Sequence, residues 1–162
     1  MPLVSDAAAW LASTPLSQTM REHLWLYPVV ETVHIVGFAV LVGAVALFDL
    51  RVLGCARTLP VQALGRHLLR WALASLLLVI PAGLLLFSSQ PLDFISNPAF
   101  KLKLALLAGA GLNAAVFHAS AYRSVAAWDV QRPAPPLARA QAALSLLLWI
   151  SIVACGRMLA YV

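Results

Sequence analysis

The sequence predicts an all-α integral membrane protein, a bundle of four transmembrane helices preceded by short interfacial helices. Three observations point there. The 162 residues are 62% hydrophobic and only 10% charged, and a soluble domain this small cannot hide so much apolar surface. The apolar residues fall into four runs, each near the roughly 20 residues that cross a hydrocarbon core of about 30 Å. The arginines gather at the connections between those runs, where topology signals belong.

Residues 1–24 read as interfacial helices and residues 25–162 as the transmembrane domain. Ser5 and Asp6 can cap a short helix through Trp10 and Leu11, and Thr14 before Pro15 can start a second one ending near Arg21 and Glu22. Both are too short to span, and their mixed character suits the headgroup region. Met1 to Ser13 holds no basic residue and does not resemble a cleavable signal peptide.

The first span is expected over about 25–48, with Pro28 in its opening turn and Trp25 and Tyr27 in an interfacial belt. A polar stretch from Asp49 to Arg70 leads to the second span, about 71–87, whose helix Thr58 and Pro60 can start early and which Pro81 and Gly83 are expected to kink. Asn97 followed by Pro98 signals the start of the third span, about 100–122. A basic loop with Arg132, Pro133, Pro135 and Pro136 precedes the fourth, about 140–161.

Seven arginines (Arg51, Arg57, Arg66, Arg70, Arg123, Arg132 and Arg139) flank the first and third connections, against Arg21, Lys101, Lys103 and Arg157 on the other side. The arginine-rich side is therefore expected to be cytoplasmic in a bacterial inner membrane, with both termini, the loop around Asp93 and Val162 periplasmic. A net charge of +5 could suggest nucleic acid, but the arginines lack the aromatic interleaving of a nucleic-acid-binding face. Cys55 and Cys155 fall near opposite faces, too far apart for one disulfide. Gly109, Gly111 and Ala114 form a dinucleotide-like GxGxxA pattern, but no strand precedes it. Those small residues, like Gly37 and Gly43, instead permit close helix approach. No hydrolase motif is present.

Charged residues inside spans cost about 2.5 to 3.5 kcal/mol each at the bilayer centre and are functional candidates by default. Glu31, His34, Lys103 and Arg157 all fall in the outer half, where they can share one site. Glu31, His34, Phe38, Val45 and Asp49 lie on one stripe of the first span, which should face the bundle. Glu31 with Arg157 is the expected intramembrane ion pair, with Tyr161 as a hydrogen-bond partner. That pair could equally serve only to fix helix register. His34 is expected to donate to Glu31, leaving its other nitrogen for a metal, a haem iron or a quinone carbonyl.

A second group gathers at the arginine-rich side. His67 with Arg66 and Arg70 matches the depth of His118, as two axial ligands of one haem iron would require, with the arginines placed for its propionates. The bland alternative makes His67 an interfacial residue and His118 an interhelical donor.

The strings Glu31-Thr32-Val33-His34, Phe48-Asp49-Leu50-Arg51, Asn97-Pro98-Ala99-Phe100-Lys101-Leu102-Lys103 and Gly156-Arg157-Met158-Leu159-Ala160-Tyr161 resemble an uncharacterised family of small four-span bacterial membrane proteins. The similarity runs from Leu26 onward and implies the four-span architecture without a particular activity. More distantly, the chain is similar to four-helix b-type cytochromes and to the copper-resistance D membrane domain, through architecture and histidines within spans. The expected function is a redox subunit binding haem b or quinone and exchanging electrons with a membrane or periplasmic partner, with room for a homo-oligomer. The competing expectation is an assembly or transporter component whose intramembrane charges are structural.

Overall fold

The computed structural model describes residues 2–159 and 161, and every regular element among them is helical. Val162, assigned to the outer side from sequence, lies outside the described residues. Helices α1 (Pro2–Ala12) and α2 (Pro15–Glu22) precede α3 (Leu26–Leu53), α4 (Val61–Ser89), α5 (Pro91–Ser96), α6 (Pro98–Ala119), a 3₁₀ segment (Ala121–Ala127) and α7 (Pro136–Met158). Helices α3, α4, α6 and α7 are long and apolar enough to cross a membrane. Their outward surfaces carry Leu77, Leu112 and Ile150, which are 77%, 67% and 65% exposed. Apolar surface on that scale belongs against lipid.

Helices α3 and α4 have 28 and 29 residues. At about 1.5 Å per residue each is roughly 42 Å long, well beyond the hydrocarbon thickness. Helix α4 accordingly starts at Val61, the early start that Thr58 and Pro60 signal, rather than near Trp71, and Arg66, His67 and Arg70 are exposed on its first turns. That start is capped non-locally. The Asp129 carbonyl accepts from Val61 N–H (3.1 Å), and its carboxylate accepts from Gln62 N–H (2.8 Å), so the cap comes from the α6–α7 connection. Helix α6 stops at Ala119, short of Tyr122, because Ser120 leaves helical geometry. Helix α7 begins at Pro136, four residues early, with proline in the first turn where its missing N–H is harmless. Helix α4 runs through Pro81 without interruption.

Arg51 ties the arginine-rich end together. It is 2% exposed and donates to the carbonyls of Leu59 (2.7 Å), Arg57 (3.2 Å) and Asp129 (2.9 Å). The helix that carries it, α3, ends on Gly54 at φ +116°, a left-handed position that glycine adopts without a Cβ penalty, and Cys55 N–H closes the turn onto Leu50 O at 2.9 Å. Beneath these loops Phe48, Val52, Val61, Phe117, Val125, Trp128 and Ala138 form the largest buried cluster.

At the opposite end α2 packs on α4 and α3. Its Met20 is buried against Val30 and Ala82, and Ser17 donates to Ser88 O at 2.7 Å. Arg21 donates to Ser89 O (2.9 Å), Ala12 O (2.9 Å) and the Ser17 hydroxyl. Two of the last carbonyls of α4 are thus capped by the N-terminal segment.

The four long helices do not close evenly. Helix α3 packs along α4, α6 along α7, and α3 against α7, but no α4 Cα comes within 8 Å of an α6 Cα. Side chains fill that seam. Phe87 of α4 stacks on Phe100 of α6 (5.6 Å, 12°) with Phe94 of α5 beside both. At the arginine-rich end Tyr122 stands against Phe48 and Phe117.

Candidate functional site

A cluster in the half of the bundle away from the arginine-rich end joins α3, α4, α6 and α7. His34 hydrogen-bonds through Nδ1 to the Val79 carbonyl of α4 at 2.9 Å. A carbonyl only accepts, so Nδ1 carries the hydrogen, and in the neutral ring Nε2 is a free lone pair. The ring fits because position 83 is glycine. A Cβ there would stand 3.0 Å from His34 Cε1 and 3.4 Å from Nδ1. Phe38, one turn along α3, stacks on His34 (6.2 Å, 22°) and meets Trp149 of α7 edge-on at 5.9 Å.

Lys103 of α6 completes the group. Its Nζ lies 5.7 Å from the Phe38 ring centroid and 3.5 Å from where a Cβ on Gly156 would stand. The ammonium thus meets an aromatic face, an attraction that strengthens as water is excluded. It has no hydrogen-bond acceptor among the described residues. A lone-pair acceptor, an ammonium donor and two aromatic surfaces therefore share one region. The sequence supplied His34, Lys103 and the stripe holding Phe38. It gave no sign of Trp149, an unremarkable aromatic in an apolar run.

Other expected associations are not made. Glu31 and Arg157 form no ion pair. Both are exposed, and Arg157 donates instead to the Tyr161 hydroxyl with its guanidinium 4.9 Å from that ring. Each sits near a helix terminus, so its charged head can reach the headgroup region and needs no protein counter-charge. His34 donates to Val79 and not to Glu31. Of the expected close-approach glycines, Gly37 meets Val79 and Leu78 of α4, whereas Gly43 faces open space.

The structure also does not bring His67 and His118 together. Gly65 faces Phe48 and Tyr122, and His67, two residues or about 200° further round α4, is exposed. His118 is exposed on α6, with Nδ1 bonded to Ala114 O at 2.9 Å and its ring 5.2 Å from Tyr122. Arg66 and Arg70 are likewise exposed. Among the described residues no group of three or more His, Cys, Asp or Glu is placed to hold a metal ion. Cys55 is exposed and Cys155 buried, both as free thiols.

A second polar group lies toward the arginine-rich end. Asp49 of α3 is buried beside Ser145 of α7, and Asn113 of α6 donates to the Gln141 carbonyl at 3.0 Å. Of these four only Asp49 stands out in the sequence, as the end of the inward stripe. The others are neutral residues whose orientation depends on packing. No family model, curated protein or solved structure matches the chain.

Proposed function

We propose that this protein is a small redox subunit of a bacterial inner membrane, one that receives the head group of a quinone or quinol among His34, Phe38, Lys103 and Trp149. The observation that carries this reading is the convergence of complementary groups from α3, α6 and α7. His34 Nε2 is a proton acceptor for a quinol hydroxyl. The Lys103 ammonium is a donor for the opposite oxygen. Phe38 and Trp149 offer faces for the ring. A lipid-dissolved ligand has a route through the α4–α6 seam, where the backbones stand apart and only side chains intervene. Electrons would pass to or from a centre on a membrane or periplasmic partner. The haem version has less support, because His67 and His118 are both exposed and His118 Nδ1 is bonded to the Ala114 carbonyl of its own helix.

The test is quenching of tryptophan fluorescence by a short-tailed benzoquinone, with the protein in nanodiscs. Saturable quenching is expected in the wild type, with reduced amplitude in Trp149→Phe. Affinity should fall about tenfold or more, or roughly 1.4 kcal/mol, in His34→Ala and in Lys103→Met. Unsaturable quenching, or quenching indifferent to both substitutions, overturns the reading in favour of an assembly role. An absorption spectrum of the same preparation decides the haem version, since a Soret band removed by His67→Ala and His118→Ala would restore it.

A further inference from the structure

Two side-chain atoms, Asp49 Oδ2 and Gln141 Oε1, are buried without a hydrogen-bond partner among the described residues. Their residues are 6% and 7% exposed. Asp49 is on α3 and Gln141 on α7, helices that pack together. Ser145, whose side chain lies beside Asp49, stands one turn beyond Gln141 on the same face of α7, so that face is the one turned toward Asp49. Asn113 closes the group from α6 by holding the Gln141 backbone carbonyl.

Both orphaned atoms are oxygens that accept and carry no hydrogen. Two acceptors cannot satisfy each other; with the Gln141 amide turned as it is, one hydrogen placed between the two oxygens satisfies both. No cation answers the carboxylate. Arg51, two residues on, is committed to three loop carbonyls. Arg66, His67 and Arg70 on α4, His118 on α6 and Arg139 on α7 are exposed, and the Asp129 carboxylate caps α4. Tyr122 packs against Phe48, Phe117 and His118. An uncompensated carboxylate in an apolar interior is costly, and carboxyl groups at membrane depth mark proton routes.

We propose that Asp49 and Gln141 form a buried proton-binding site, in which a proton held on Asp49 Oδ2 is donated in a hydrogen bond to Gln141 Oε1. The proton comes from water at the arginine-rich end. Its uptake breaks one O–H bond of hydronium, which is left as water, and forms one O–H bond at Oδ2. The site is about 15 residues along α3 from His34, roughly 22 Å, and stands independently of the quinone reading.

Infrared difference spectroscopy of the protein in nanodiscs at neutral pH tests it, with carbon-13 in the aspartate side-chain carboxyls to assign the band. A protonated-carboxyl C=O band that shifts in heavy water is expected. It should disappear in Asp49→Asn, whose amide can still donate to Gln141, and move to higher frequency in Gln141→Leu, where the acceptor is gone. Should the Asn variant fail to fold, the label in the wild type still decides whether a protonated aspartate exists. Absence of the band overturns the proposal, as does a band indifferent to Gln141→Leu. A band that shifts when sodium replaces choline at fixed pH also overturns it, in favour of a metal-cation site.

Discussion

His34 keeps its orientation through a hydrogen bond on one edge and a missing side chain on another. The Val79 bond has a net worth of about 1 kcal/mol. The space at Gly83 is what lets the ring reach it. In an exposed helix interior, Gly→Ala stabilises by about 1 kcal/mol through propensity. At position 83 the new methyl would crowd the imidazole, which is held by Val79 and must give by a few tenths of an ångström, an overpacking cost of about 1–3 kcal/mol. Gly83→Ala should therefore lower stability in detergent and weaken quinone binding about tenfold, while Gly111→Ala, with open space around it, should be neutral or stabilising. Equal behaviour of the two variants would show that the ring has room to spare.

Glu31 and Arg157 give a prediction of opposite kind. Because each is exposed and Arg157 is held by Tyr161, the losses in Glu31→Gln and Arg157→Met should add without coupling in a thermal double-mutant cycle. Measurable coupling would mean the two groups meet in the bilayer after all. The sequence-based pairing failed because equal depth on two helices does not fix which way each side chain turns near a terminus. The same stripe succeeded further in, where His34, Phe38 and Asp49 are held by neighbours on both sides.

Elements extend the argument. Helix α4 has both ends satisfied from a distance, by Asp129 at its start and by Ser17 and Arg21 at its finish. The positive Arg21 at a helix C-terminus also complements the dipole there. Arg21→Met removes three hydrogen bonds to oxygen acceptors, for an expected loss of about 1.5–3 kcal/mol in docking of the N-terminal segment. Hydrogen exchange should then quicken in α2 and the last turn of α4, with α6 and α7 unchanged. Uniform acceleration would mean that α2 supports the whole bundle. These caps explain what was legible here. Four spans follow from runs of apolar residues, a property of each segment by itself. The early start of α4 is signalled locally by Thr58 and Pro60, but its cap is not, because the group that supplies it lies 67 residues away in sequence. Nor could the partners of Asp49 be read, since Gln141, Ser145 and Asn113 gain meaning only once α3, α6 and α7 are packed.

For the whole molecule the question is which end faces the cytoplasm. The fold places Arg51, Arg57, Arg66, Arg70, Arg123, Arg132 and Arg139 at one end, and Arg21, Lys101, Lys103 and Arg157 toward the other, seven against four. Not all of these charges are equal as signals. Arg51 is buried among loop carbonyls and Lys103 lies inside the bundle against Phe38, so neither charge stands at the membrane surface in the folded state. Removing one from each side leaves six against three, and the bias survives. Orientation, however, is set during insertion, when both still count, and short connections carry the effect. Arg57 and Arg132 are therefore expected in the cytoplasm, and Asp93 and the C-terminus in the periplasm. Periplasm-dependent and cytoplasm-dependent reporters fused at Arg57, Asp93, Arg132 and after Val162 should give alternating answers in that sense. Replacing Arg57, Arg66, Arg70 and Arg132 with glutamine reduces the arginine-rich side to three against four, and should yield a mixed population. The reverse pattern in the wild type would refute the assignment, and would also move His34 and Lys103 to the cytoplasmic half and the Asp49–Gln141 site to the periplasmic half.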